Sequence, residues 1–465
     1  MDRPSRAHLA IGALVAVGAL VLTTGPLYRV RSWWAFDDPL AADVAVLAVQ
    51  VTLGALGVVA LVSGARRRRV DRRIAVVAAV LIGWMMVGSV WSADASTTLR
   101  ESAMVGVTLL AGAGAAVAVG ERLLVMSSWV GVHVGLAWSA VQIIRVQPGT
   151  QDLSGDWTGV YFNRNSFALV AAFGILLSLV VAAQLWGQPR RGLVVTVLAA
   201  AVLADLWLIR GSGSVTPLVA LVVGVAVAAL AVAGRRRVGR QGRWPVDAGA
   251  VSALVGVGVV AVASVAWLTR GTWLTALGRN TTLTGRTLIW EVSVDWAWRR
   301  PMRGQGYLGA WADDDFRADQ LAVRGEVLDS SHNSFVEIFL GTGLPGLVLF
   351  AALIALVWVA AGRRALTGHT VAAVWPLAAL VFVIVEHLAE TLWVGGQLTV
   401  ALLGVIAVVS TTSEPMPDTA ERVEQTTADT GEPTPGGADT AVHRDTGDPG
   451  VDHDGAEIVR GELRN

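Results

Sequence analysis

Along this chain apolar residues fall into long unbroken runs, and polar residues collect in the short stretches between them. A helix rising about 1.5 Å per residue needs about 20 residues to cross a hydrocarbon core of about 30 Å. Runs of that order cover residues 9–25, 43–64, 74–91, 101–120, 123–144, 165–186, 192–209, 214–234, 247–268, 344–362, 371–386 and 392–410. Backbone in hydrocarbon must satisfy its own N–H and C=O groups, which a helix does within one segment. The pattern therefore predicts an all-α, polytopic integral membrane protein with about 12 transmembrane helices. The first run has no convincing cleavage site and is followed by many others, so it reads as a membrane helix and not a signal peptide.

Two stretches depart from the runs and set the domain boundaries. Residues 1–268 hold membrane helices 1–9, 269–343 form a large loop with amphipathic helices, 344–410 hold helices 10–12, and 411–465 are a tail rich in Thr, Pro, Gly, Asp and Glu with no apolar period. Such a tail cannot bury enough surface to fold alone and is expected to be disordered. Short cytoplasmic loops retain positive charge. Arg66 to Arg69 with Arg72 and Arg73, Arg122, Arg190 and Arg191, Arg235 to Arg237 with Arg240 and Arg243, and Arg363 and Arg364 all fall on alternate connections. That side is read as cytoplasmic, together with both termini and the acidic tail, and the 269–343 loop as extracytoplasmic.

Composition sharpens this picture. With 54% hydrophobic residues, 15% charged and a mean hydropathy of +0.58, the chain is far more apolar than the core of a soluble domain requires. The net charge of +0 hides a segregation, because an arginine-bearing membrane part is offset by the acidic tail. All 36 basic residues are Arg and there is no Cys, which excludes a disulfide framework, a thiol nucleophile and a cysteine metal site. An arginine-only, Ala/Val-rich chain fits a high-GC bacterial host.

Candidate chemistry lies in the long loop. The stretch TGRTLIWEVSVDWAWRRP, from Thr284, places Leu288, Ile289, Val292 and Trp296 at helical spacing and ends at Pro301, predicting an amphipathic helix along the membrane face. GQGYLG at 304–309 is too Gly-rich for a regular element. Ser330 or Ser331 is then expected to cap a short helix from His332 to Leu340, broken by GTGLPG before the next span. A histidine is a candidate base near neutral pH, and arginine is the natural partner of a phosphate.

His332 and Asn333 are followed by nine residues, Gly343, two more and Gly346, the pattern H-N-x9-G-x-x-G. Placed on an outer loop before a late span, it resembles the signature of the O-antigen ligase and O-antigen polymerase superfamily. GRTLIW at 285–290 looks like that family's Gly-Arg-x-x-x-Trp element, Pro301 with Gly304, Gln305 and Gly306 like its Pro-x-x-Gly-x-Gly element, and YFNRNSFA at 161–168 like its Phe-x-Asn-x-Asn stretch. The family often has an Arg after Ser-x-Ser at the outer end of a middle span, where this chain has Val215 and Arg210 is the available substitute. It also often has a Glu two residues before the first signature Gly, where this chain has Gly341.

The resemblance implies a GT-C-like fold in a bacterial inner membrane and a metal-independent, inverting glycosyltransferase. Its donor would be a glycan on undecaprenyl diphosphate, its acceptor a hydroxyl of a glycan, lipid, wall polymer or protein. His332 and Arg286 are the implied catalytic residues; Arg210, Asn333, Asn165, Trp290 and Arg270 are the candidates for substrate binding. Membrane lipids are partners by necessity, and neither a cofactor, a metal nor a nucleic acid is expected. Polymerase and ligase remain open alternatives, as do a lipid-linked glycan transporter or flippase and a non-catalytic envelope scaffold. Among other polar residues, Asn163 and Asn165 can cap a helix, Glu386, His387 and Glu390 can form a polar site at the outer end of a late span, and His133 and Gln142 can satisfy neighbouring helices. Asp313 to Asp315 resemble a metal cluster only superficially, since consecutive side chains diverge on a helix.

Overall fold

The computed structural model describes residues 6–23, 25, 39–64, 70–186, 191–239, 248–268, 286–368 and 370–411. Arg270, Gly285, several loop arginines (Arg66 to Arg69, Arg190, Arg240 and Arg243) and the tail beyond residue 411 lie outside the described residues. Nine helices form the first part of the chain: α1 (Arg6–Leu22), α2 (Pro39–Gly64), α3 (Arg72–Val87), α4 (Ala95–Ala118), α5 (Glu121–Ile144), α6 (Arg164–Leu185), α7 (Arg191–Ser212), α8 (Thr216–Gly239) and α9 (Ala248–Leu268). The loop carries α10 (Arg286–Arg299) and α11 (Asp314–Arg324), and α12 (Ser334–Thr367), α13 (Trp375–Ala389) and α14 (Leu398–Thr411) follow. The protein is an all-α polytopic membrane protein. Nine helices among the described residues are long and apolar enough to span a bilayer, and shorter apolar helices occupy Ala10–Leu22, Ala248–Gly258 and Leu398–Thr411. Each of the twelve apolar runs contains helix in its described part, and nine of the helices meet the length and hydropathy needed to span a bilayer among the described residues.

Two helices sit at the centre of the bundle. The apolar windows of α6 and α13 are 78% and 72% buried inside the protein, against 11% for α2, whose valines and leucines face outward. The polar ends of α6 and α13 are therefore brought to the middle of one end of the bundle, which is where the candidate site lies. At the opposite end Glu121, Arg364 and Arg235 tie helices together. Arg364 Nη2 donates to Glu121 Oε2 at 2.5 Å, Trp375 Nε1 donates to Glu121 Oε1 at 2.5 Å, and Arg235 donates to the carbonyl oxygens of Gly368 and Thr370. Three arginine-bearing connections that the sequence assigned to one side thus meet at one end.

Inside the bundle, His133 of α5 contacts Asp205 of α7, Nε2 to Oδ2 at 3.1 Å, while its Nδ1 lies 2.8 Å from the Trp129 carbonyl. Gly174 of α6 leaves room for the pair, since a Cβ there would lie 2.8 Å from Asp205 Oδ2. Asp205 is an ionisable group inside the apolar run of residues 192–209, and it is tolerated because a partner on α5 satisfies it. Asp205→Ala is expected to cost about 1–2 kcal/mol of stability, read as a lower melting temperature of the detergent-solubilised protein.

The break in α12 is a local consequence of sequence. Gly343 adopts φ 68° and ψ −168°, a conformation open essentially only to glycine, and Pro345 has no N–H. The helix therefore loses bonds, and the carbonyls it frees take other donors. Leu340 O accepts from Gln305 N–H at 2.8 Å, Gly341 O from Gly306 N–H at 2.9 Å, and Thr342 O from Trp84 Nε1 at 2.8 Å, while the Leu344 N–H turns to Pro301 O at 2.7 Å. The Pro301–Gly306 loop is thus docked onto the break by backbone hydrogen bonds. A Cβ on Gly343 would sit 2.5 Å from Pro301 O. Gly343→Ala is expected to cost at least about 1–3 kcal/mol, measured as lost thermal stability and reduced membrane abundance.

Candidate functional site

The loop helices build a small core beside the bundle. Ile289, Val292, Trp296 and Ala297 lie on the inner side of α10, and Val292 and Trp296 pack with Ala310, Phe316 and Leu340, with Trp311 at the edge. The helix predicted between Thr284 and Pro301 is present as α10, and it packs on α12, with Trp298 edge-on to Phe339 at 5.2 Å. Gln305 Nε2 donates to the Trp296 carbonyl at 2.8 Å, tying α10 to the glycine loop. Asp313 caps α11 by accepting from the N–H groups of Asp315 and Phe316, so the three consecutive aspartates mark a helix start. Exposed Asp319 accepts from Trp296 Nε1 and from Arg299, which hold its carboxyl below the usual carboxylate range.

The H-N-S triplet follows. The structure corrects the expected cap: helix α12 begins at Ser334, and Asn333 caps it through Oδ1, which accepts from Phe335 and Val336 N–H at 2.9 and 3.2 Å. Asn333 is also stitched to the end of α13, its Nδ2 donating to Leu388 O at 3.0 Å and its N–H to Thr391 Oγ1 at 3.2 Å. Ser334 Oγ accepts from Leu392 N–H at 2.9 Å and lies 2.6 Å from His387 Nδ1. His332 is left outside the helix with φ 50°. That left-handed conformation costs a residue bearing a Cβ about 1–2 kcal/mol, so the neighbours must hold it.

Glu390, just past the end of α13, gathers the remaining residues. Its Oε2 lies 2.9 Å from His332 Nδ1, and its Oε1 accepts from Arg286 Nη2 at 2.5 Å and from Asn165 Nδ2 at 2.7 Å. Arg286 Nη1 donates to the Ala389 carbonyl at 2.5 Å, and Ser214 Oγ donates to Asn165 Oδ1 at 2.9 Å. Residues from α6, α10 and the turn before α12 thus share one carboxylate past the end of α13, and the α7–α8 turn joins them through Asn165. A carboxylate only accepts, so the proton between them belongs on Nδ1 of His332, and in the neutral imidazole the lone pair is then on Nε2; Nε2 has no hydrogen-bond partner among the described residues. The His332 side chain is 31% exposed, enough for a substrate to reach it.

The expected residues divide accordingly. His332, Arg286 and Asn165 meet at Glu390, and Trp290 stands behind them, its Nε1 donating to Ser331 O at 2.7 Å. Asn333 turns its polar atoms to the backbone instead of the open side. Arg210 is exposed at the end of α7 and makes no ion pair among the described residues. Its neighbour Gly211 accepts from Trp157 N–H at 2.9 Å, and Ser214 reaches Asn165, so the turn after Arg210 is tied to the cluster while its side chain is not. Glu390 was readable only as part of a polar group with Glu386 and His387; its partners lie far away in sequence. Glu337 and Thr391 gave no motif at all. Among the described residues no three His, Asp or Glu side chains are grouped as ligands for a metal.

Fold and site together define a polytopic membrane protein with a polar, carboxylate-centred site at one end of its bundle. Residues 200–351 match the family model described as O-antigen ligase, the family that the motifs resemble. The match contains Arg210, Arg286, Trp290, His332 and Asn333, whereas Asn165 and Glu390 lie outside it. The exopolysaccharide production protein ExoQ of Rhizobium meliloti (strain 1021) is similar over 199 residues at 27% identity, covering 42% of this chain and 44% of that protein. The chain therefore spans less than half the length of the relative it matches.

Proposed function

We propose that the protein is a glycosyltransferase of cell-surface polysaccharide biosynthesis, moving a glycan from an undecaprenyl-diphosphate carrier to an acceptor hydroxyl on the extracytoplasmic side. The observation that carries this reading is the shared Glu390 carboxylate, which joins His332, Arg286 and Asn165 from three separate motifs. Orientation follows from the arginines: the end holding Arg235 and Arg364 faces the cytoplasm, and the His332 end faces out.

In this reading the acceptor hydroxyl gives its proton to His332 Nε2, and its oxygen forms a bond to the anomeric carbon. The bond from that carbon to the diphosphate oxygen breaks with its electron pair, so undecaprenyl diphosphate leaves. A single displacement of this kind inverts the anomeric centre. Glu390 orients the imidazole and stabilises its charge once protonated. Arg286 supplies permanent positive charge beside the reacting centre for the leaving diphosphate, with exposed Arg210 at the end of α7 as a further cation; Arg270, the other candidate, lies outside the described residues. Asn165 and Trp290 shape the wall.

Purified protein in nanodiscs, incubated with carrier-lipid extract from a strain lacking it, should release undecaprenyl diphosphate as the glycan moves to acceptor. Extract that persists unchanged under conditions where the protein is folded would remove the transferase reading. A transporter would use ionisable groups at mid-membrane, and His133 with Asp205 is such a pair. In that case glycan would cross vesicles of the purified protein without any loss of carrier linkage.

A further inference from the structure

Glu337 is buried at 0% exposure in the first turn of α12, with Val336 and Ile338 on either side of it in sequence. A carboxyl in such surroundings is costly unless its oxygens are engaged, and here both are. Oε1 accepts from Trp311 Nε1 at 2.7 Å, and Oε2 accepts from Ser331 N–H at 2.9 Å. The same Oε2 lies 2.9 Å from Ser331 Oγ and 3.4 Å from Thr391 Oγ1. The carboxyl makes none of its hydrogen bonds to Arg286, Asn165 or His332. What it touches are the flanks of His332: Ser331 precedes it, and Thr391 accepts from the N–H of Asn333, which follows it. Ser331 Oγ also lies 2.9 Å from the Asn333 carbonyl, closing the turn across the histidine. A non-glycine residue at φ 50° persists only where its surroundings over-determine it.

We propose that Glu337 is the positioning residue of this site: by holding Ser331 directly and Asn333 through Thr391, it keeps His332 in the left-handed turn that brings Nδ1 to Glu390 and Nε2 to the open side. Trp311 links this grip to the outer loop, so the short turn Gly309–Ala312 becomes part of the support for the histidine. That His332 then serves as a base rests on the transfer reading above; that Glu337 sets its position does not.

The test reads position without substrate. Diethyl pyrocarbonate labelling of the purified full-length protein, with peptide mass spectrometry, gives the reactivity of His332 in the wild type, Glu337→Ala, Trp311→Phe and Ser331→Ala. Gel filtration and thermal melting confirm that each variant is folded. Glu337→Ala should raise His332 labelling about fivefold or more, as loss of several buried hydrogen bonds frees the turn; the other two, which each remove one donor, should raise it by less. If Glu337→Ala does not fold, the two milder variants decide. His332 labelling within about twofold of wild type in every folded variant overturns the proposal. Raised labelling combined with no transfer by the folded wild type would overturn the transfer reading, and raised labelling with normal transfer by His332→Ala would overturn the base role of His332; either leaves the positioning role standing, so the failures are distinguishable.

Discussion

His332→Ala is expected to lower glycan transfer by about 10²- to 10⁴-fold, the range that a positioned general base contributes. The expectation has three parts. Nδ1 is committed to Glu390 at 2.9 Å, so the basic nitrogen is Nε2. The side chain is partly exposed at the mouth of the site, so an acceptor can approach. Its left-handed backbone is held on both sides, so the imidazole needs no reorganisation before it acts. Because the His332 side chain bonds to Glu390 and to nothing else in the core, the variant should keep its fold, and its melting temperature should stay close to that of the wild type. Initial rates of undecaprenyl diphosphate release by the nanodisc-embedded variant check both halves of this expectation.

Glu390→Gln is expected to be nearly as damaging, by about 10²-fold or more, although it changes a single atom. The amide oxygen can still accept from Arg286 and Asn165, which turns the NH₂ group toward His332. A donor facing Nδ1 demands the other tautomer, with its proton on Nε2, and the base is lost. Glu390→Ala goes further, leaving Arg286 without its counter-charge. The Gln change should not add to His332→Ala: the double variant should be no slower than the single one, because Glu390→Gln keeps the acceptor for Arg286 and Asn165 and acts through the histidine. An additive double variant would mean that Glu390 serves the reaction independently of His332.

Much of this was legible in the sequence. Apolar runs marked the all-α polytopic class and the nine helices long enough to span a bilayer among the described residues, since length and hydropathy decide that a segment can span, but they missed the first ten residues of α12 and began the last helix six residues early. The signature located His332 and Asn333, and the Gly-Arg-x-x-x-Trp element located Arg286 and Trp290. What failed was local chemistry. Three residues that could all cap a helix stand together, and the sequence could not say that Asn333, not Ser330 or Ser331, would do so. Asn163 and Asn165 look equivalent, yet Asn163 caps α6 by accepting from Ser166 N–H at 2.8 Å while Asn165 is free to reach Glu390. Glu390 and Glu337 stayed obscure for a different reason: their partners are brought together only by the packing of α6, α10, α12 and α13, which no local pattern encodes. One signal did exist for Glu337, a lone carboxylate between Val336 and Ile338, which asks for buried donors.

The most direct measurement is mass spectrometry of carrier-linked glycan, with surface polysaccharide, in a deletion strain carrying wild type, His332→Ala or Arg286→Ala at matched membrane levels. The transfer account predicts that wild type restores the polymer and that both variants lose it while carrier-linked glycan accumulates on the outer face, as single repeats for a polymerase or as long chains for a ligase. Normal polysaccharide and no accumulation in both variants would contradict it.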